Sequence, residues 1–549
     1  MDLKLSSAQN ALPSILSLIF DRIKYGKKLK NEWERLDQIR KTGGAESLRS
    51  IAQVCRSWRT AALPYFYENA VTLLEPVLGT SAYYPRVVYP DLSMAAAGGH
   101  SQLVRSAHFR LSLDHIIDGT STHLLDAGAL STATFPNVTE LVLDLYSSDD
   151  IPQGNHSAKV GSFIERIRQL FPNAQDSSLV VRSGSWIDYE YICRNLMGII
   201  APAPRTLIFR DLANEDAVLR GGFSTGIQRM HLETHHSTEC PIVHSNRDTV
   251  EELVLRIAPY YGEDMTEGNI SDSLESLFSY TYPKLTSLSI ETGQDMEGRF
   301  SLPDINPFPS LTTLSLNTYC GFDIGVIVDS VGENLTSLTL YLTDHLFKSL
   351  CGRVFPSLAC VRIRETAIAS GRYGIGDVVE AAHLPFLIAP NAEHIENYYH
   401  SLPFHRSLQS FIPQNHSNPQ LRHLIVRKVM PTLGRFQQIL ACFPGLTRIG
   451  IYGVRADEGY DPTRSDSDIS RLLTELPIFS TSLRRIDLQL WRNIGPHLVV
   501  AIAKLPLLRM VTIGAASNTL SQYRKEIGKP IYDEYRDSLS RPIFCSKAH

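Results

Sequence analysis

The chain has 549 residues, 43% of them hydrophobic and 20% charged, with a formal net charge of −4. Such a balance describes folded domains or one long repeat array, and the slightly acidic charge removes the general electrostatic case for nucleic acid or an anionic membrane. No apolar run approaches the roughly 20 residues of a membrane span, and the eight cysteines, scattered without a CxxC pair, suit a reducing compartment. The apolar run 11–20 has no strongly basic lead, contains Pro13 and ends in Asp21-Arg22 without a small-residue cleavage site. It is therefore not read as a secretory signal, and an intracellular protein, cytoplasmic or nuclear, is expected.

Taken in order, the chain opens with helical patterns. Pro13 sits at a first helical position, where its missing N–H costs little, and Leu12, Ile15, Leu16, Ile19, Phe20 and Ile23 form an apolar stripe. Residues 24–46 carry Leu29, Trp33 and Leu36 at helical spacing with dense charge between them, which predicts an amphipathic helix. A further stripe runs through Leu48, Ile51, Ala52, Cys55, Trp58 and Ala62. Helices this short need a partner for their apolar faces.

These two blocks, Leu12-Pro13 with Ile15-Leu16 and Ile19-Phe20, then Val54-Cys55-Arg56-Ser57-Trp58, resemble the F-box over roughly residues 10–72. The link between the blocks, residues 24–46, is longer than that family's usual one. The following LPYFYENAVTL is similar to the family's exit into a first strand. The resemblance implies that Leu12, Pro13, Ile15, Leu16 and Ile19 face the S-phase-kinase-associated adaptor of a cullin ligase core. Val54, Cys55 and Trp58 would support or join that surface. The alternative is that the same helices only cap the end of a repeat array.

Beyond residue 76 the reading is weaker for a stretch. LVRSAHFRL near Leu103 is a candidate early strand, FPNVTELVLDL from Phe135 a clean one, residues 147–159 a polar loop, and SFIERIRQLFPNA a helix. Residues 183–249 offer only RTLIFRDL and IQRMHLE as candidate strands. From Val250 a pattern repeats: apolar, two variable, apolar, one variable, apolar. It reads Val250/Leu253/Leu255, then YPKLTSLSIE, FPSLTTLSLN, ENLTSLTLY and FPSLACVRIR, and later Leu421/Leu424/Val426, Leu446/Ile449/Ile451, Leu483/Ile486/Leu488 and Leu508/Val511/Ile513. Residues 293–300 and 371–377 read as surface loops. The alternating end of each copy is a short strand with one apolar face, which only stacked copies can bury. The best copies lie about 23 to 26 residues apart, inside the leucine-rich-repeat range. The expected fold is α/β: F-box helices over 1–72, an irregular leucine-rich-repeat solenoid over 73–513 with parallel concave strands and convex helices or turns, and a cap and tail over 514–549.

The variable positions beside the strand leucines are the expected binding face. Hydroxyl side chains dominate the middle copies, whereas later copies present Arg362, Arg364, His423, Arg427, Arg448, Tyr452 and Arg485. Arginine grips carboxylates and phosphates bidentately, so an acidic or phosphorylated protein segment is one expectation; that these arginines pair with nearby acids or are simply solvated is the other. Interleaved acids such as Glu252, Glu291 and Asp487 argue against a nucleic-acid reader. His231, His235, His236, Cys240 and His244 cluster in sequence, but without a second Cys pair they are read as a polar loop, and no metal or cofactor is expected. GxSxG, HExxH and GxxxxGK[ST] are absent, so no enzyme is expected. The chain reads as the substrate-recognition subunit of an SCF-type ubiquitin ligase that captures an unidentified protein target. The alternative is a repeat scaffold outside any ligase.

Overall fold

Among the described residues most new strands start from one carbonyl that accepts two backbone N–H groups. Thr286 O accepts from Thr312 N and Thr313 N, both at 2.9 Å, and Thr312 O accepts from Thr336 N at 2.8 Å and Ser337 N at 3.1 Å. At several strands a preceding threonine hydroxyl joins in: Thr312 Oγ1 and Thr336 Oγ1 each donate at 3.1 Å to the preceding copy's carbonyl. A second device begins four residues before that carbonyl. In the Phe/Tyr-Pro-x-Leu turns the leucine N–H returns to the aromatic residue's carbonyl, as in Leu311 to Phe308 at 3.2 Å and Leu446 to Phe443 at 3.1 Å. The turn thus satisfies its own backbone while the ring points into the core.

The computed structural model describes residues 63–64, 66–74, 92–146, 157–174, 176–182, 205–212, 226–234, 241–257, 278–292, 299–301, 306–317, 321–323, 331–342, 344–365, 383–398, 413, 416–427, 439–452, 482–489, 507–508 and 510–514. The chain divides into two compact units, Met1–Glu263 and Asp264–His549. Both have the mixed α/β character of a solenoid, built on long parallel sheet in which sequence neighbours are sheet neighbours.

In the first unit β1 (Asn69–Leu74), β2 (Ser106–Ser112), β3 (Glu140–Tyr146), β4 (Asp176–Arg182), β5 (Thr206–Leu212), β6 (Arg229–Thr234) and β7 (Glu252–Ile257) pair in that order, all parallel. Short helices connect them: α1 (Leu92–Ala97), α2 (Leu113–Asp118), α3 (Thr120–Leu125), α4 (Ser157–Leu170) and α5 (Pro241–Ser245). Helix α4 forms because Val160, Phe163, Ile164, Ile167 and Leu170 recur at helical spacing, and all of them are buried. Its Arg166 ties the turn before β3, with Nε 2.8 Å from Asp126 Oδ1 and Nη2 donating to Ser131 O at 2.8 Å. Buried Asn246 does a similar job beside β6. Its Oδ1 accepts from Gly226 N and Ile227 N, and its Nδ2 donates to Ile242 O.

In the second unit the order is β8 (Ser287–Thr292), β10 (Thr313–Asn317), β12 (Ser337–Leu342), β13 (Cys360–Glu365), β14 (His394–Tyr398), β15 (His423–Arg427), β16 (Arg448–Tyr452), β17 (Arg485–Gln489) and β18 (Met510–Gly514), again parallel and in register. A separate parallel pair joins β9 (Arg299–Ser301) to β11 (Gly321–Asp323), and α6 (Asp344–Leu350) follows β12. The inward side chains, among them Leu288, Leu314, Leu338, Val361, Ile395, Leu424, Ile449 and Ile486, are all fully buried. Behind them the turn aromatics pack: Phe308 lies 5.3 Å from Phe278 and 5.6 Å from Tyr282, and Phe386 stacks on Phe443 at 5.8 Å.

Strands β4 and β14 depart from the pattern read in the sequence. At β14 the apolar triplet is Ala392, Ile395 and Asn397, with a buried amide where leucine is expected. At β4, Ser177 takes the register place of Leu141. The loop expected over 293–300 ends in β9, and the polar stretch expected to reach Lys159 turns helical at Ser157. The F-box-like blocks, the 24–46 helix, the loop 371–377 and the tail beyond 514 lie outside the described residues.

Candidate binding surface on the strand ladder

Side chains alternate along a strand, so residues that do not enter the core form rows across the ladder. In the second unit one row runs Ser287, Thr313, Ser337, Cys360, His394, His423, Arg448, Arg485, and the next runs Ser289, Ser315, Thr339, Arg362, Glu396, Ile425, Gly450, Asp487. The N-terminal half of both rows is small hydroxyls, with Asn317 Nδ2 donating to Glu291 Oε1 at 3.0 Å in the row beyond. The C-terminal half is charged.

Two buried carboxylates organise that charged half. Asp487, 2% exposed, receives Arg448 through Nε at 2.9 Å and Nη2 at 2.8 Å, and Arg485 through Nε at 2.9 Å to both oxygens. Glu396, 4% exposed, accepts from His394 Nε2 at 2.7 Å and lies 3.4 Å from Arg362 Nε. The arginines themselves stay partly open, with side chains 29% exposed at Arg362, 31% at Arg448 and 40% at Arg485. Arg364 is exposed, and no ion pair involves it among the described residues. Arg427 and Tyr452 stand opposite each other across β15 and β16, although their side chains lie outside the described residues. Sequence reading thus located the arginines and Asp487 but not Glu396 or His394, because β14 hides its pattern behind Ala392 and Asn397.

His423 faces this cluster. Its Nδ1 is 3.3 Å from His394 Nδ1, and burial first, then His394, Arg448 and Arg485, push its pKa below the ordinary histidine value, against a smaller opposing pull from Glu393. The unfolded chain therefore binds the proton more readily than the folded one, and stability falls as pH drops through about 6.5. Between pH 7 and 5.5 the melting temperature of His423→Gln is expected to fall less than that of wild type. Equal falls in the two proteins contradict this assignment.

The first unit presents a different surface. His108 Nε2 lies 3.6 Å from Asp144 Oδ2 with both residues buried, and Val142 and Ile208 on the same side of the sheet are buried too. His231 Nε2 lies 3.2 Å from Glu252 Oε1, and this contact holds the Glu252 carboxyl below its usual value despite burial. Of the histidine-cysteine run, His231 is thus engaged on β6 and His244 sits in α5, whereas His235, His236 and Cys240 lie outside the described residues. Among the described residues no group of three or more His, Cys, Asp and Glu side chains gathers to hold a metal, and no helix is long and apolar enough to cross a membrane. The adaptor-facing candidates Leu12, Pro13, Ile15, Leu16, Ile19, Val54, Cys55 and Trp58 also lie outside the described residues.

Compared with models of known protein families and with curated proteins, the chain matches none.

Proposed function

We propose that this chain is the substrate-recognition subunit of an SCF-type ubiquitin ligase. Its F-box-like N-terminus docks the S-phase-kinase-associated adaptor, and its leucine-rich-repeat solenoid captures a protein target. The observation that carries the reading is the bipartite motif from Leu12 to Trp58, placed immediately ahead of a long parallel strand ladder. A plain scaffold has no need of that motif. The chain would contribute proximity and orientation, holding the target beside a ubiquitin-conjugating enzyme, rather than bond chemistry.

Co-expression with the adaptor tests this. The wild-type chain is expected to elute with the adaptor, and a Pro13→Ala/Ile15→Asp/Trp58→Ala variant with unchanged circular dichroism is expected to elute alone. A wild-type chain that elutes without the adaptor sinks the receptor reading and leaves the scaffold in its place.

A further inference from the structure

The arginines at the C-terminal end of the ladder are held in an unusual way. Each guanidinium of the Arg448/Arg485 pair gives its Nε edge to Asp487, a carboxylate that is itself almost wholly buried. Among the described residues two cations meet one anion there, and the arginine side chains are its open side, 31% and 40% exposed against 3% for the side chain of Asp487. Gly450, itself buried, stands between Ile425 and Asp487 in the same row and adds no side chain of its own there. Three strands away, Arg362 Nε lies 3.4 Å from buried Glu396, an ion pair without a hydrogen bond, with exposed Arg364 two residues on along the same strand. A guanidinium already fixed by a carboxylate behind it has lost rotamer freedom before any ligand arrives, so less is lost on binding.

From this geometry we infer that the β13–β17 end of the ladder binds an extended acidic protein segment carrying two anionic side chains about four residues apart. The inference deepens the reading of the ladder as a capture surface and rests on it. The spacing follows from the sheet: β13 and β16 are three strand steps apart, about 14 Å, and an extended peptide advances about 3.3 Å per residue. One anionic group meets Arg362 and Arg364, and the other meets Arg448 and Arg485. Asp487 is a positioning residue, acting through the two arginines it holds. The shared chemistry is an oxyanion, either a carboxylate or a phosphate ester on the segment.

Fluorescence polarisation on the full chain tests the inference with labelled peptides in a glycine-serine background. The peptides carry two glutamates four residues apart, two phosphoserines four apart, the same pairs eight apart, or no charge; a single-stranded DNA of matched charge completes the set. At low salt the four-residue pair is expected to bind, glutamate or phosphoserine identifying the source of the anion, and the eight-residue and neutral peptides to bind at least about tenfold more weakly. Arg448→Glu/Arg485→Glu is expected to lose at least about tenfold, the factor that one charge-assisted hydrogen bond supplies.

Asp487→Asn is the sharper variant. It makes the face more positive, yet it is expected to weaken binding severalfold while the melting temperature shows the chain still folded. Binding that tightens in Asp487→Asn overturns the positioning role, because it reduces the face to general electrostatics. Equal binding by the reversed-charge variant or by the neutral peptide overturns the site. Equal binding of both spacings removes the two-point arrangement, and DNA binding tighter than every peptide assigns the face to nucleic acid instead. Peptide binding by a chain that fails to elute with the adaptor leaves this inference standing and removes only the ligase.

Discussion

Alanine at Phe308 is expected to destabilise the second unit by about 3–5 kcal/mol, the cost of emptying a fully buried aromatic site. The ring has no exposure and sits between Phe278 and Tyr282, at centroid distances of 5.3 and 5.6 Å. Its backbone is independently held, because Phe308 N donates to Asn306 Oδ1 and its carbonyl accepts from Leu311 N. The truncation therefore leaves the turn in place and removes packing alone. In a stacked array each copy is stabilised chiefly by its neighbours, so a cavity here loosens the interface on the β8 side as well as its own copy. Denaturant unfolding followed by tryptophan-independent far-UV signal measures the loss. Phe308→Leu, which retains much of the volume, is expected to lose less than half as much. A Phe308→Ala midpoint within error of wild type contradicts the packing described.

Gly445→Ala is the second large effect. A Cβ added at Gly445 meets the backbone carbonyl of Pro419 and the Arg422 guanidinium, which already donates to Gly445 O at 2.9 Å. Arg422 can swing away, but Pro419 is backbone in the preceding turn and has no such freedom. Overpacking of this kind costs about 1–3 kcal/mol. Equivalent turns carry Lys284, Ser310 and Ser357 at this position; in one of them Ser310 Oγ donates to Pro283 O at 2.6 Å. The close approach of successive turns is thus general, whereas the demand for glycine is local to the 419/445 pair. A melting temperature unchanged in Gly445→Ala, with Ser310→Ala as comparison, contradicts the clash.

The ladder was legible because its determinants are local and periodic. Wherever leucine, isoleucine or valine fills all three apolar places, as at 311/314/316 or 446/449/451, the sequence marks the strand to within a residue or two. Where one place is taken by alanine, serine or asparagine, the neighbouring strands supply the register instead, which is why β4 and β14 needed the fold. The candidate site divides along the same line. Arg362, Arg448 and Arg485 stand at alternating positions that a strand pattern exposes; the Arg485–Asp487 pair is local, two residues apart, but Arg362 with Glu396 and Arg448 with Asp487 join residues 34 and 39 positions apart, and no local rule carries that. The small polar face of the middle copies was also read correctly as hydroxyl-rich, since Ser287, Thr313 and Ser337 follow directly from the period.

Hydrogen exchange of the whole chain, with and without the adaptor, tests the central claim most directly. The account predicts that adaptor binding slows exchange across residues 12–20 and 48–62 and leaves β13–β17 unchanged, because docking and capture use different parts of the chain. Exchange unchanged over 12–20 and 48–62 at saturating adaptor, or protection that falls on the strand ladder instead, contradicts it.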